Sequence, residues 1–187
     1  MALHPHEGGR TAGALRLARA TSGRERVTDD ASFSVEELAD KSRSAHRLLY
    51  RTPPLSQRLT LSGLASVRLE VSFDAPASNL SAALVDLGPK SGTTVLSEGW
   101  ADPHIDSLHE GTALEPRTRY AIEVDLDQVL QHRLPSGHRL ALVVAASDKE
   151  FTLRPPPGTH LRLTLSEASL DLPVLGGADA LRNALRP

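Results

Sequence analysis

The densest group of side chains able to do chemistry is Asp102-x-His104-x-Asp106-x-x-His109, with carboxylates and imidazoles nearly alternating along a polar loop. In extended backbone, alternate residues point to one side, and oxygen and imidazole donors together suit a divalent cation. The run matches no defined metal-ligand spacing, and polar loops collect Asp and His in any case. A solvated loop tip anchored by Trp100 is the competing reading. We therefore expect no metal and no cofactor, and these four residues are the candidates if one binds. Asp29-Asp30 with Asp86 or Asp125 could form the oxygen cage that Ca²⁺ takes in many sandwiches, but these ligands are scattered along the chain.

Nucleophilic catalysis finds no support. A Ser-His-Asp triad needs its serine on a strained turn beside an oxyanion hole, and the G-x-S-x-G elbow that supplies this turn is absent. Gly88-Pro89-Lys90-Ser91-Gly92 carries its serine one place too late. With no Cys in the chain, a thiolate nucleophile, thiolate metal sites and disulfides are excluded as well. His132 and His138 flank the start of an apolar strand, where a hydrogen-bonded packing role is the ordinary one. The loop Ser147-Asp148-Lys149-Glu150-Phe151 places three charges and an aromatic at a strand end. With Trp100 it forms the candidate contact with a partner domain: Trp100, Asp148, Lys149, Glu150 and Phe151.

The elements that would position these residues are strands. Leu140 to Ala146 is an apolar run too short for a buried helix and therefore reads as a strand buried on both faces. Ser66 to Phe73 and Tyr120 to Leu126 alternate, with Val67, Leu69, Val71 and Phe73, and then Tyr120, Ile122, Val124 and Leu126, facing inward. Leu48 to Tyr50, Arg58 to Leu61, Asn79 to Leu87, Thr93 to Trp100, Leu161 to Leu165 and Ser169 to Val174 complete about eight strands. Pro53-Pro54 places the first of these at a sheet edge. Ser34-Val35-Glu36-Glu37 is a capping box that starts one short helix ending before Lys41. A single helical turn is expected over Asp127 to Leu130. Pro155-Pro156-Pro157-Gly158 can only bridge two strands. No helix is long enough for βαβ crossovers, so the fold class is an all-β, jelly-roll β-sandwich. Residues 1–27 read as a partly ordered arm or linker, 28–177 as the sandwich and 178–187 as a tail with a frayed helix.

The 187 residues suffice for one domain. With 21 basic against 23 acidic residues spread along the chain, nucleic acid is not an expected partner. No apolar stretch approaches the roughly 18 residues of a membrane span, and MALHPHEGGR lacks the apolar core of a signal peptide. The expectation is a soluble, unexported chain without a membrane partner. Aromatics are only 3% of the chain, which weighs against a lectin-like stacking surface.

Taken in order, HRLLYRTPPL, LSGLASVRLEVSF, NLSAALVDL, LSEGWADP, the Tyr120 strand, LPSGHRLALVVAASDKEFTL and LTLSEASLDLPVLGG resemble the carboxy-terminal domain of the X-prolyl dipeptidyl aminopeptidases. These belong to a wider hydrolase family that includes cocaine esterase. The likeness covers about Thr28 to Gly177. It implies a galactose-binding-like jelly roll that follows an α/β-hydrolase domain, with the catalytic triad in that other domain. This chain would then be an accessory, non-catalytic module that packs on the hydrolase domain, helps wall the substrate cleft and joins a subunit interface of a homo-oligomer. Cocaine-esterase-like relatives carry Phe-Pro-Arg followed by Asn where this chain has Asp148-Lys149-Glu150-Phe151, and the difference favours the dipeptidyl-peptidase branch. The alternative is a stand-alone carbohydrate- or peptide-binding sandwich, which needs exposed aromatics or a bound Ca²⁺ on a concave face.

Overall fold

In a computed structural model of the protein, every residue is described except Ser91, Leu108, His109, Arg154, Pro156, Pro157 and Pro187, together with the side chains of residues 105–107 and 110. The expectations placed on His109, on the Asp106 side chain, on Ser91 and on Pro156-Pro157 fall outside the described residues.

The chain opens with β1 (Ala2–Pro5), β2 (Gly13–Arg16), β3 (Arg24–Thr28) and helix α1 (Val35–Asp40). It continues through β4 (Arg47–Arg51), β5 (Leu59–Gly63), β6 (Ser66–Phe73), β7 (Leu80–Leu87) and β8 (Thr93–Ala101). After the short pair β9 (Ile105–Ser107) and β10 (Glu110–Gly111) come β11 (Tyr120–Asp125), β12 (Leu130–Leu134), β13 (Arg139–Ala145), β14 (His160–Asp171) and helix α2 (Gly177–Ala184). The strands follow one path, β11-β6-β14-β1-β2-β4-β13-β7-β8, with β3 also on β14 and β12 paired to β5. The path folds over where β1 meets β2, so that β11-β6-β14-β1 and β2-β4-β13-β7-β8 become the two layers of the expected all-β sandwich.

Side-chain alternation explains the layering. On β6, Val67, Leu69, Val71 and Phe73 are all buried, and they meet Leu48, Tyr50, Leu84, Leu140, Leu142 and Val144 from the other layer. The intervening residues of the second layer, Leu49, Ala83, Val85, Ala141 and Val143, form a separate apolar cluster on its outer face, covered by Val35 and Ala39 of α1. That is why β13 is apolar at every position from Leu140 onward: both of its faces are buried. The capping box starts α1 as expected, with the Ser34 amide donating to Glu37 Oε2 (2.9 Å) and the Glu37 amide to Ser34 Oγ (3.3 Å).

Four expectations need correction. Residues 1–27 are not a loose arm: they carry β1 and β2 and most of β3, and Leu3, Leu15 and Val27 are fully buried. Of these segments only β2 carries a sequence signal, the alternating patch Ala14 to Ala18, which suits an edge strand, whereas β2 lies between β1 and β4. Asp127 to Leu130 is not helical, because the Asp127 amide donates to Glu98 O (2.9 Å) and the Gln128 amide to Ser97 Oγ (3.0 Å). The backbone donors of that segment are used against β8, and Leu130 opens β12 instead. The expected pair of strands at 161–165 and 169–174 is one twelve-residue strand, β14, whose register with β6 shifts between Thr164 and Ser169. β4 is interior, between β2 and β13, since Pro53 and Pro54 stand beyond its end and block no ladder bond.

The free side of β8 closes against the first layer by backbone approach. A side chain at Gly99 would place its Cβ 2.1 Å from the Asp125 carbonyl oxygen of β11. Only glycine fits there.

Candidate functional site

The chemistry of the molecule gathers on the outer face of the second layer, at the β8 edge. Glu98 stands opposite Ala83 in the β7–β8 register, on the same outer face as Val143 and Leu49. The residue is 8% exposed, and its Oε2 has no hydrogen-bond partner among the described residues. Burial first, and then the negative charges of Glu36, Asp148, Glu150 and Asp127, push its carboxyl up to about 7. Sequence inspection does not reveal this residue, because its acidic neighbours come from three separate segments that only the fold brings together.

Beside it lies the predicted contact loop. Asp148 is fully buried and is held by the Glu150 amide donating to Oδ1 (2.9 Å) and by Trp100 Nε1 donating to Oδ2 (3.4 Å). The Asp148 amide and carbonyl are both bonded by Thr152 Oγ1, each at 2.8 Å, so the loop is a closed turn. Trp100 stacks on Phe151 with ring centroids 4.4 Å apart. Phe151 is not tucked into the core: it is 56% exposed, Leu153 in the same loop 84% and Val129, next to the Gln128 that bonds β8, 73%. Lys149 reaches Glu37 of α1 at 3.3 Å. Trp100 thus touches the 147–151 loop, with Glu98 and the exposed Leu153 close by.

A second missed residue anchors this region. Arg47 is 1% exposed on the same outer face, and no carboxylate is paired with it among the described residues. Its guanidinium donates to the carbonyls of Leu38 (3.2 Å), Gly9 (2.7 Å), Thr11 (3.0 Å) and Lys41. Two of these lie at the C-terminal end of α1, where a cation is favoured. Burial lowers its pKa from the usual guanidinium value.

Of the four metal candidates, the side chains of Asp102 and His104 are described, and they lie together. His104 Nδ1 is 2.6 Å from Asp102 Oδ1, and Nε2 is 2.8 Å from the Pro76 carbonyl in the β6–β7 connection, so both ring nitrogens are engaged. Among the described residues no group of three or more His, Asp or Glu is arranged to hold a metal. The scattered Ca²⁺ candidates part company. Asp29 accepts from the Ser147 amide (2.9 Å) and hydroxyl (3.0 Å), tying β3 to the end of β13. Asp86 bridges His138 Nδ1 (2.8 Å) and His132 Nε2 (3.2 Å), which gives both histidines the hydrogen-bonded role expected of them.

Residues 8–180 match the family described as the X-Pro dipeptidyl-peptidase C-terminal non-catalytic domain. The chain belongs to that family. A Rhodopirellula baltica protein named "Putative Xaa-Pro dipeptidyl-peptidase" is 38% identical over 192 residues, which is 97% of this chain and 30% of that protein. The Xaa-Pro dipeptidyl-peptidase of Lacticaseibacillus casei is 30% identical over 76% of this chain and 22% of its own length. The chain thus spans under a third of the length of the curated relatives it matches. Among solved structures, an α-amino acid ester hydrolase aligns with TM-score 0.73 at 19% identity, over 93% of this chain and 36% of the other. An aminopeptidase from a Thaumarchaeota archaeon aligns with TM-score 0.71 at 17% identity, over 91% and 36%. At those identities the likeness speaks for the fold. Among the described residues, no helix is long and apolar enough to cross a membrane.

Proposed function

We propose that this domain serves a serine X-Pro dipeptidyl-peptidase by docking on its α/β-hydrolase domain through the Trp100–Phe151 face, where it helps shape the substrate cleft. The observation that carries the reading is a surface unfinished in isolation. The stacked Trp100 and half-exposed Phe151, the exposed Leu153 of the same loop and the buried Glu98, whose Oε2 has no hydrogen-bond partner among the described residues, lie on or beside one sheet edge. Apolar side chains gathered around a desolvated acid gain from a partner that covers the first and offers a donor or cation to the second. The family's non-catalytic description and the greater length of its relatives support the same assignment.

The test is reconstitution. The hydrolase region of the Rhodopirellula baltica relative is expressed separately and assayed on an Ala-Pro chromogenic dipeptide, with and without this chain. Activity is expected in the mixture and not from this chain alone. Phe151→Asp, on an exposed side chain, should abolish the gain while leaving the melting temperature of the chain within about 2 °C. Turnover by the chain alone would overturn the accessory reading. Full reconstitution by the Phe151→Asp chain would move the docking surface elsewhere.

A further inference from the structure

The outer face of the opposite layer carries a different kind of site. Arg24, Ser72, Arg117, Arg119, Arg162 and Thr164 line one depression of ≈ 360 Å³. The sheet register brings them together: Arg24 stands opposite Thr164 in the β3–β14 ladder, and Arg162 stands opposite Ser72 in the β14–β6 ladder. We propose that this depression binds a small, multiply charged phosphate such as pyrophosphate.

Three observations support this. First, of the four guanidiniums only Arg119 is paired, with Glu70 at 3.3 Å. The nearby Asp74 is held instead by the His160 amide (2.7 Å) and ring (2.6 Å), and Arg162 acts on it only at longer range. Among the described residues Arg24, Arg117 and Arg162 thus converge without a carboxylate in salt-bridge distance. A bound oxyanion would relieve that repulsion, and the fork of each guanidinium matches phosphoryl oxygens. Second, the Ser72 and Thr164 hydroxyls make no hydrogen bond among the described residues, so two neutral donors are left over between the cations. Third, Arg117 holds a φ of 68°. The Thr118 amide donates to Glu115 O (3.1 Å), which places Pro116 and Arg117 at the two central positions of a tight turn. The second central position of a type II turn is ordinarily Gly or Asn, because it needs positive φ. An arginine here accepts backbone strain while its side chain lines the depression. A concave site of this volume with free hydroxyls inside it suits a small anion better than a flat acidic protein surface.

Titration calorimetry on the full chain, with KCl at matched ionic strength as the control, decides the matter. Pyrophosphate should bind saturably at one site and inorganic phosphate more weakly. Arg162→Gln should weaken pyrophosphate at least tenfold. Arg117→Gly should weaken it severalfold without lowering the melting temperature, which separates lost binding from lost folding. Heat no greater than that of KCl, or affinity unchanged in both variants, would overturn the proposal. Binding of polyglutamate without pyrophosphate would overturn it too, and would reassign the face to an acidic polypeptide. Docking through Trp100 and Phe151 is independent of either outcome.

Discussion

Glu98 shows what one side chain can do when the fold rather than the sequence chooses its neighbours. Its carboxyl is raised from the ordinary 4.5 to about 7, so the folded chain holds a proton that the unfolded chain releases. The stabilising contribution is therefore fully present below about pH 4.5 and is lost as the pH rises through about 7. Glu98→Gln keeps the neutral amide at every pH. In urea titrations the variant should be more stable than the native chain at pH 8, by roughly 1–3 kcal/mol, with the gap closing toward pH 5. A gap that does not change between pH 5 and pH 8 would mean that the site is hydrated and the carboxyl ordinary. Little of this was legible in the chain. Trp100 and the 147–151 loop announce themselves as aromatics and charges at strand ends, whereas Glu98 sits inside a strand where nothing in the sequence sets it apart.

Among the elements, α1 is fixed less by its own six residues than by what grips its end. Its capping box specifies where it starts, and that was readable because both partners lie within four residues. Its seat on the sheet depends on Arg47, whose four carbonyl acceptors come from two other segments and cannot be inferred from spacing. Arg47→Met should keep the packing volume while removing the guanidinium donors of the Thr11 and Lys41 carbonyls and the second donor of Gly9 and Leu38, whose carbonyls keep the Leu49 and Lys41 amides, at about 1–3 kcal/mol for each group left unsatisfied out of reach of water. We expect a loss of about 3 kcal/mol or more in chemical denaturation, with faster amide exchange in α1 than in β13. Exchange that accelerates equally everywhere would show that the arginine supports the whole sandwich rather than the helix. The long strands β6, β7, β11 and β13 were legible because period two or unbroken apolarity needs six or more residues to emerge. The short strands β1, β3 and β12 carry neither alternation nor an apolar run, and only pairing partners far away in sequence make them strands.

At the scale of the molecule, β1 is the joint between the layers. Ala2 and Leu3 pair with Asp171 and Leu170 of β14, while His4 and Pro5 pair with Arg16 and Leu15 of β2. The Met1 ammonium donates to Leu172 O (3.1 Å), and His4 Nδ1 lies 2.9 Å from Ala168 O. Deleting residues 1–5 should remove roughly 3–5 kcal/mol through the lost Leu3 burial and ladder bonds, which lowers the melting temperature by about 10 °C. An unchanged melting temperature would return this stretch to the status of an arm. The same joint bears on the order of folding. The β1–β14 pairing forms only when Leu3 has found Leu170, so residues 2–3 wait for residues 170–171, far along the chain. Closure of the sandwich is a late, long-range event, and until it happens the inner faces of both layers stay open to solvent and to neighbouring chains.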